Sequence, residues 1–170
     1  MNKQYNRHAR ALVLVGLLSA LALALSALEM IFTPLLPPGA KAGLSNIVVM
    51  FAAFALGLPQ TLAIVFVKAA LALFTRGIVA ALFSLSGGLA SAVLLWVLYR
   101  YTKRPGMLGI SLAGAVCHSA TQLLLATLLY GKAVLAYAPL MLLFAIPAGF
   151  ITASLLGAAQ HLIQAFLHKE

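Results

Sequence analysis

Few side chains in this sequence could do chemistry, and they stand out against an apolar background. Glu29, Lys68 and Arg76 are charges within or at the ends of long apolar runs. Such charges are costly in a membrane and mark ligand or ion pathways by default. Lys68 and Arg76 are eight residues apart, so on a helix they share a broad face about 12 Å apart along the axis. His118 and Gln122 lie four residues apart, one above the other on a helix, and Gly114 continues that face. Ser84, Ser86, Gly87, Gly88 and Ser91 form a small polar patch, and Lys41 comes shortly after a Pro-Pro-Gly sequence. Lys41, Lys68 and Arg76 outnumber Glu29 by two. A buried cation should be answered by something negative. The chemistry expected is therefore binding of a carboxylate or phosphate whose apolar body suits the surrounding Leu, Phe and Met. The expected contacts are Glu29, Lys41, Lys68, Arg76, Ser84, Gly88, His118 and Gln122. A structural reading stands beside each: an ion pair for Glu29, helix-to-helix bonding for His118 and Gln122, close packing for the serine–glycine patch.

Several reaction classes are closed by residue type. The chain has no G-x-x-x-x-G-K-[ST] loop for a nucleotide. His8, His118, His161 and His168 have no metal-ligand spacing. Magnesium-assisted chemistry on a diphosphate needs clustered carboxylates, and the only ones are Glu29 and Glu170. Without aspartate there is no Ser–His–Asp set. No catalytic residue, metal or cofactor is expected. A carrier, a binding subunit or a structural membrane subunit remains.

The elements that position these residues are set by composition. The 170 residues are 64 % hydrophobic and 8 % charged, with a mean hydropathy of +1.11. Soluble domains carry about 25 % charged residues, so a single all-α integral membrane domain over 1–170 is expected. At about 20 residues per crossing, the length suits six or seven. Expected spans are 11–32, 43–58, 61–75, 77–99, 107–130 and 134–157, the second and third being short. Run 11–28 exceeds a signal-peptide core of ~7–15 residues and reads as a retained first helix. The sequence Thr33 to Lys41, with three prolines and a glycine, predicts an ordered loop. Pro139 and Pro147 are expected to bend the last helix. Cys117, the lone cysteine, reads as a core thiol.

The net charge of +9 does not indicate nucleic acid, because the cations sit mainly at the ends of apolar runs. With the N-terminus cytoplasmic, Lys3, Arg7, Arg10, Arg100, Lys103, Arg104 and Lys169 lie inside, and Lys41, Arg76 and Lys132 outside. That satisfies the positive-inside rule and gives a six-helix bundle with both termini cytoplasmic. The polar residues then converge on the outer half, beneath the Pro-Pro-Gly loop. Gly16, Ala20 and Ala24 form a small-residue ridge on the first helix, suited to close helix approach, within the bundle or against a partner subunit.

Glu29, the sequence Pro38-Gly39-Ala40-Lys41-Ala42-Gly43-Leu44-Ser45-Asn46-Ile47, Ser86 to Ser91, and Gly114 to Gln122 together resemble the Gx transporter family. That family is also labelled heptaprenyl diphosphate synthase component I and is similar to the substrate-binding S components of energy-coupling-factor transporters. The likeness departs at Ser119, where the family pattern is expected to have asparagine. The resemblance implies an S-component-like fold in a bacterial cytoplasmic membrane and adds Asn46 to the expected ligand contacts. It implies that the ridge on the first helix meets a transmembrane coupling subunit driven by two cytoplasmic ATPases. The expected function is thus the substrate-binding subunit of an energy-coupled uptake transporter for a small anionic or amphipathic solute. The alternative is a non-catalytic membrane partner of a prenyl diphosphate or quinone-pathway enzyme or redox complex.

Overall fold

Six α-helices succeed one another in the computed structural model, which describes residues 2–32, 44–101 and 106–158, the side chains of 2–8, Arg10 and Phe32 excepted. They are α1 (Asn2–Phe32), α2 (Leu44–Ala55), α3 (Leu58–Arg76), α4 (Ile78–Tyr101), α5 (Met107–Tyr130) and α6 (Ala138–Ala158), with a 3-10 turn, Lys132–Tyr137, before α6. Lys41 and its loop, Lys103, Arg104 and the polar tail from Gln160 to His168 lie outside the described residues.

Glycine and proline cut these apolar runs into separate helices. Gly57 and Gly77 stand at φ 91° and 85° with ψ near 178°, an extended mirror conformation that is essentially glycine-only. Each lets the chain reverse with almost no connecting loop, so α2, α3 and α4 run alternately up and down. Pro59 falls in the first turn of α3, where a missing N–H is harmless. Pro139 likewise falls in the first turn of α6, so it starts that helix rather than bending it as the sequence suggested. Pro147 is inside the helix.

Among the described residues five helices are long and apolar enough to cross a membrane, and the chain is a multi-pass membrane protein. The sixth, α2, has 12 residues, or about 18 Å, against a hydrocarbon core of about 30 Å. It is shorter than the run 43–58 suggested, because Gly57 and Pro59 end it early. Among the described residues α1, α3, α4, α5 and α6 form a chain of neighbours, and α2 packs on α1, α3, α4 and α6. A helix surrounded by protein needs no polar face, and α2 is apolar nearly throughout.

The core is layered along the bundle. Met50, Ala53 and Phe54 of α2 pack with Leu95, Ile110 and Leu156 at one end. Ala22, Val48, Ala52 and Ile64 form a second cluster, and Val49, Val65 and Ala92 a third. These residues fill the half of the bundle near the ends of α4 and α6. At that end Phe54 stacks on Tyr99, centroids 4.3 Å apart, and Arg100 lies 6.0 Å over the Trp96 ring. Tyr130 and Tyr137 are exposed at the opposite end. Aromatic residues favour the two membrane–water interfaces, and the exposed Leu, Ile and Phe between them suit lipid.

Gly77→Ala should lower the stability of the detergent-solubilised protein by roughly 1–3 kcal/mol. The drop is read as a fall in the thermal unfolding midpoint against Gly106→Ala, a control site with open space around it.

Candidate functional site

The polar residues that the apolar core excludes meet in the other half of the bundle. Glu29 comes from the last turn of α1, Ser45 and Asn46 from the first turn of α2, Lys68 from the middle of α3 and Ser84 from α4. His118, Ser119 and Gln122 come from the middle of α5. With Ser26, Arg76, Ala115 and four α6 residues they line one cavity. Met141 and Phe144 give the α6 wall an apolar surface. Arg76 is exposed and marks the mouth, whereas Glu29, Lys68, Ser84, His118 and Gln122 are buried.

Glu29 has a defined structural task. Its Oε1 accepts from the backbone N–H of Ser45 at 3.0 Å, and its Oε2 from the Ser45 hydroxyl at 3.2 Å. Ser45 is the second residue of α2, so the carboxylate satisfies one of the donors that a helix start leaves open. It also places negative charge at the positive end of the helix dipole. One residue further on, Asn46 Oδ1 accepts from Lys68 Nζ at 3.3 Å. The two contacts tie α1 to α2 and α2 to α3 at the same level. Gln122 Nε2 donates to the Phe83 carbonyl at 3.2 Å, joining α5 to α4. The residues that make these bonds also face the cavity, Phe83 excepted.

Glycine makes room for the ring of His118. A Cβ built on Gly87 would stand 2.8 Å from His118 Cε1 and 3.1 Å from Gln122 Cγ, so α4 must present a bare backbone here. Gly88 faces elsewhere: its Cβ would meet Val65 of α3 at 2.7 Å. The expected cavity contact at Gly88 is therefore a helix-packing position, because a step of one residue turns a helix by about 100°. The serine–glycine patch is split for the same reason. Ser84 lines this cavity, Ser86 donates to Phe83 O at 3.4 Å, and Ser91 lies further along the bundle. Cys117 is half-buried. Lys41 is outside the described residues.

Ser26, Met141 and Phe144 line the cavity without having been singled out in the sequence, and Ser45 and Ser119 were noted there only within the family resemblance, not as ligand contacts. Ser26 lies three residues before Glu29 on the α1 face that meets α2 and α3, which is a signal available in the spacing. Nothing in the α6 sequence singles out Met141 or Phe144. Gly16, Ala20 and Ala24 of the first helix are not among its buried residues, and open space surrounds Gly16.

The arrangement can hold an anion. Among the lining residues Lys68 and Arg76 set two positive charges against the one carboxylate, Glu29, which is engaged at the start of α2. No group of three His, Cys, Asp or Glu that could hold a metal occurs among the described residues.

Fold and cavity define a multi-pass helical membrane protein with a polar, cation-bearing cavity in one half of its bundle. Residues 18–159 match the family described as heptaprenyl diphosphate synthase component I, and the chain belongs to that family. Comparison with curated proteins and with solved structures gave no significant match.

Glu29→Ala should destabilise the protein by about 1–3 kcal/mol, the cost of leaving a buried donor unsatisfied. Glu29→Gln should recover most of that loss, because an amide oxygen still accepts from the Ser45 N–H. Thermal unfolding of both variants in one detergent checks the pair.

Proposed function

We propose that this protein is a membrane subunit that binds a small amphipathic anion in the cation-bearing cavity and passes it to a partner. The observation that carries the reading is the charge of the lining: Lys68 and Arg76 against Glu29, around a cavity walled on one side by Met141 and Phe144. A phosphate or carboxylate head would meet the cations, and apolar substituents would meet α6. The positive-inside distribution of Arg100 and the N-terminal cations favours the outer side of a bacterial cytoplasmic membrane for this cavity.

Once the anion is bound, energy-coupled uptake is the fate we favour for it. It is supported by the resemblance to S components and by the ridge at Gly16, Ala20 and Ala24, which offers a coupling subunit a close approach. That subunit would in turn be driven by two cytoplasmic ATPases. The second reading is favoured by the family description itself. A component I of a heptaprenyl diphosphate synthase implies a further component, and this chain would be its non-catalytic membrane partner. With two carboxylates in the sequence, a magnesium-dependent prenyl transfer would fall to that other component. The site is the same in both readings.

Farnesyl phosphate in lipid nanodiscs is a suitable probe of the site. Lys68→Ala and Arg76→Ala should each weaken its binding by roughly 10–100-fold without lowering the unfolding midpoint by more than a few degrees. Unchanged affinity in both folded variants would sink the anion site. Native mass spectrometry of the complex from mild detergent then separates the partners: a coupling subunit with two ATPases supports uptake, and a prenyl diphosphate synthase subunit supports the second reading.

A further inference from the structure

The charges around the cavity match a monoanion. Among the described lining residues Lys68 and Arg76 stand against Glu29, which leaves one positive charge. A carboxylate or a sulfate ester would bring the lining to neutrality. A phosphate monoester carries nearly two negative charges above its second pKa of about 6, so one negative charge would be left over. An unmatched charge in a buried site is costly, and a membrane interior adds to that cost.

One further residue of the described lining can change the sum. Apart from the three charged side chains, the lining consists of hydroxyl, amide and apolar groups and the imidazole of His118. An imidazole gains a positive charge by taking up a proton close to neutral pH. His118 is 7 % exposed and lies on α5 one turn from Gln122. The bare backbone of Gly87 gives its ring a place between α4 and α5: a Cβ there would stand 2.8 Å from Cε1 and 2.9 Å from Nδ1. Seated in this way, the residue still faces the cavity.

The charged groups around it can be named helix by helix. To the shared lining α1 brings Glu29, and α3 brings Lys68 and Arg76. The described residues of α2, α4 and α6 bring only neutral side chains, such as Asn46, Ser84 and Met141. Lys132 and Tyr137, in the 3-10 turn that packs against α5, are exposed and lie outside the lining. Protonation of His118 would therefore give the lining two positive charges, the number that a phosphate dianion requires.

We infer that His118 takes up a proton from solvent when a phosphate monoester binds, and that this proton makes the cavity prefer phosphate dianions to carboxylates and other monoanions. The inference rests on the anion-binding reading above and names the head group within it.

Hexyl phosphate and hexyl sulfate in nanodiscs test it, with protein-free nanodiscs as the blank. The two share a tetrahedral head and an apolar body, and at about pH 8 they differ in charge. Titration calorimetry in two buffers of unlike ionisation enthalpy counts the protons. The unaltered protein should take up roughly one proton per hexyl phosphate and roughly none per hexyl sulfate. By linkage, the Kd for hexyl phosphate should then rise about tenfold for each pH unit above about 7.5, and the Kd for hexyl sulfate should stay level. His118→Gln keeps a hydrogen-bonding side chain that does not accept a proton. Its proton uptake should be close to nil, and its phosphate-to-sulfate affinity ratio should be lower by roughly tenfold or more. Uptake with both esters, uptake with neither, or uptake that survives in folded His118→Gln would overturn the role of His118 while leaving the anion site standing. If His118→Gln does not fold, the comparison of the two esters in the unaltered protein decides. Failure of both esters to bind would overturn the anion site, and the role of His118 with it.

Discussion

The start of a helix inside a membrane protein must find hydrogen-bond acceptors without water, and the rest of this structure depends on how α2 does so. An unsatisfied backbone group in hydrocarbon costs several kcal/mol. Here the acceptor is the Glu29 carboxylate, which reaches from the last turn of α1 to the backbone and side chain of Ser45. That contact fixes where α2 begins relative to α1, and it sets the level at which Asn46 meets Lys68. A short central helix is thereby held at a defined height among five longer ones. Among the described lining residues the one carboxylate, Glu29, is thus engaged at the start of α2, while Lys68 and Arg76 give the lining a positive balance.

Small residues serve this architecture mainly by admitting other groups. Gly87 admits the His118 ring, Gly88 admits Val65 and Gly114 admits Leu95. At Gly149 even the α5 backbone comes close, since a Cβ there would lie 3.0 Å from Leu112 Cα. The Ser111 hydroxyl reaches the Gly149 carbonyl across the same contact. Between helices in lipid, where no hydrophobic force favours association, close packing and such bonds are the available attractions. The glycines of α4, α5 and α6 therefore hold the bundle together and shape its cavities at once.

Polar and apolar chemistry are separated along the bundle axis. The cations, His118 and Gln122 lie around one chamber, and a mostly apolar chamber adjoins it. The cluster of Met50, Phe54, Leu95, Ile110 and Leu156 packs the bundle beyond them.

Composition alone determined that this is a helical membrane protein. Charged residues are so few that most 20-residue windows are apolar, and of the two structures that satisfy their backbone in lipid, helix and closed barrel, only the helix suits long continuous apolar runs. The spacing of Lys68 with Arg76 and of His118 with Gln122 also marked the faces on which they lie, because helical periodicity is local. The sequence could not show that α2 stops short, that Pro139 opens α6, or that Gly88 faces Val65 while Gly87 faces His118. Nor could it pair Glu29 with Ser45 or bring Met141 and Phe144 to the cavity. Those outcomes depend on how neighbouring helices rotate and slide against one another. That rotation is settled by contacts between residues far apart in the chain, which the local pattern does not encode.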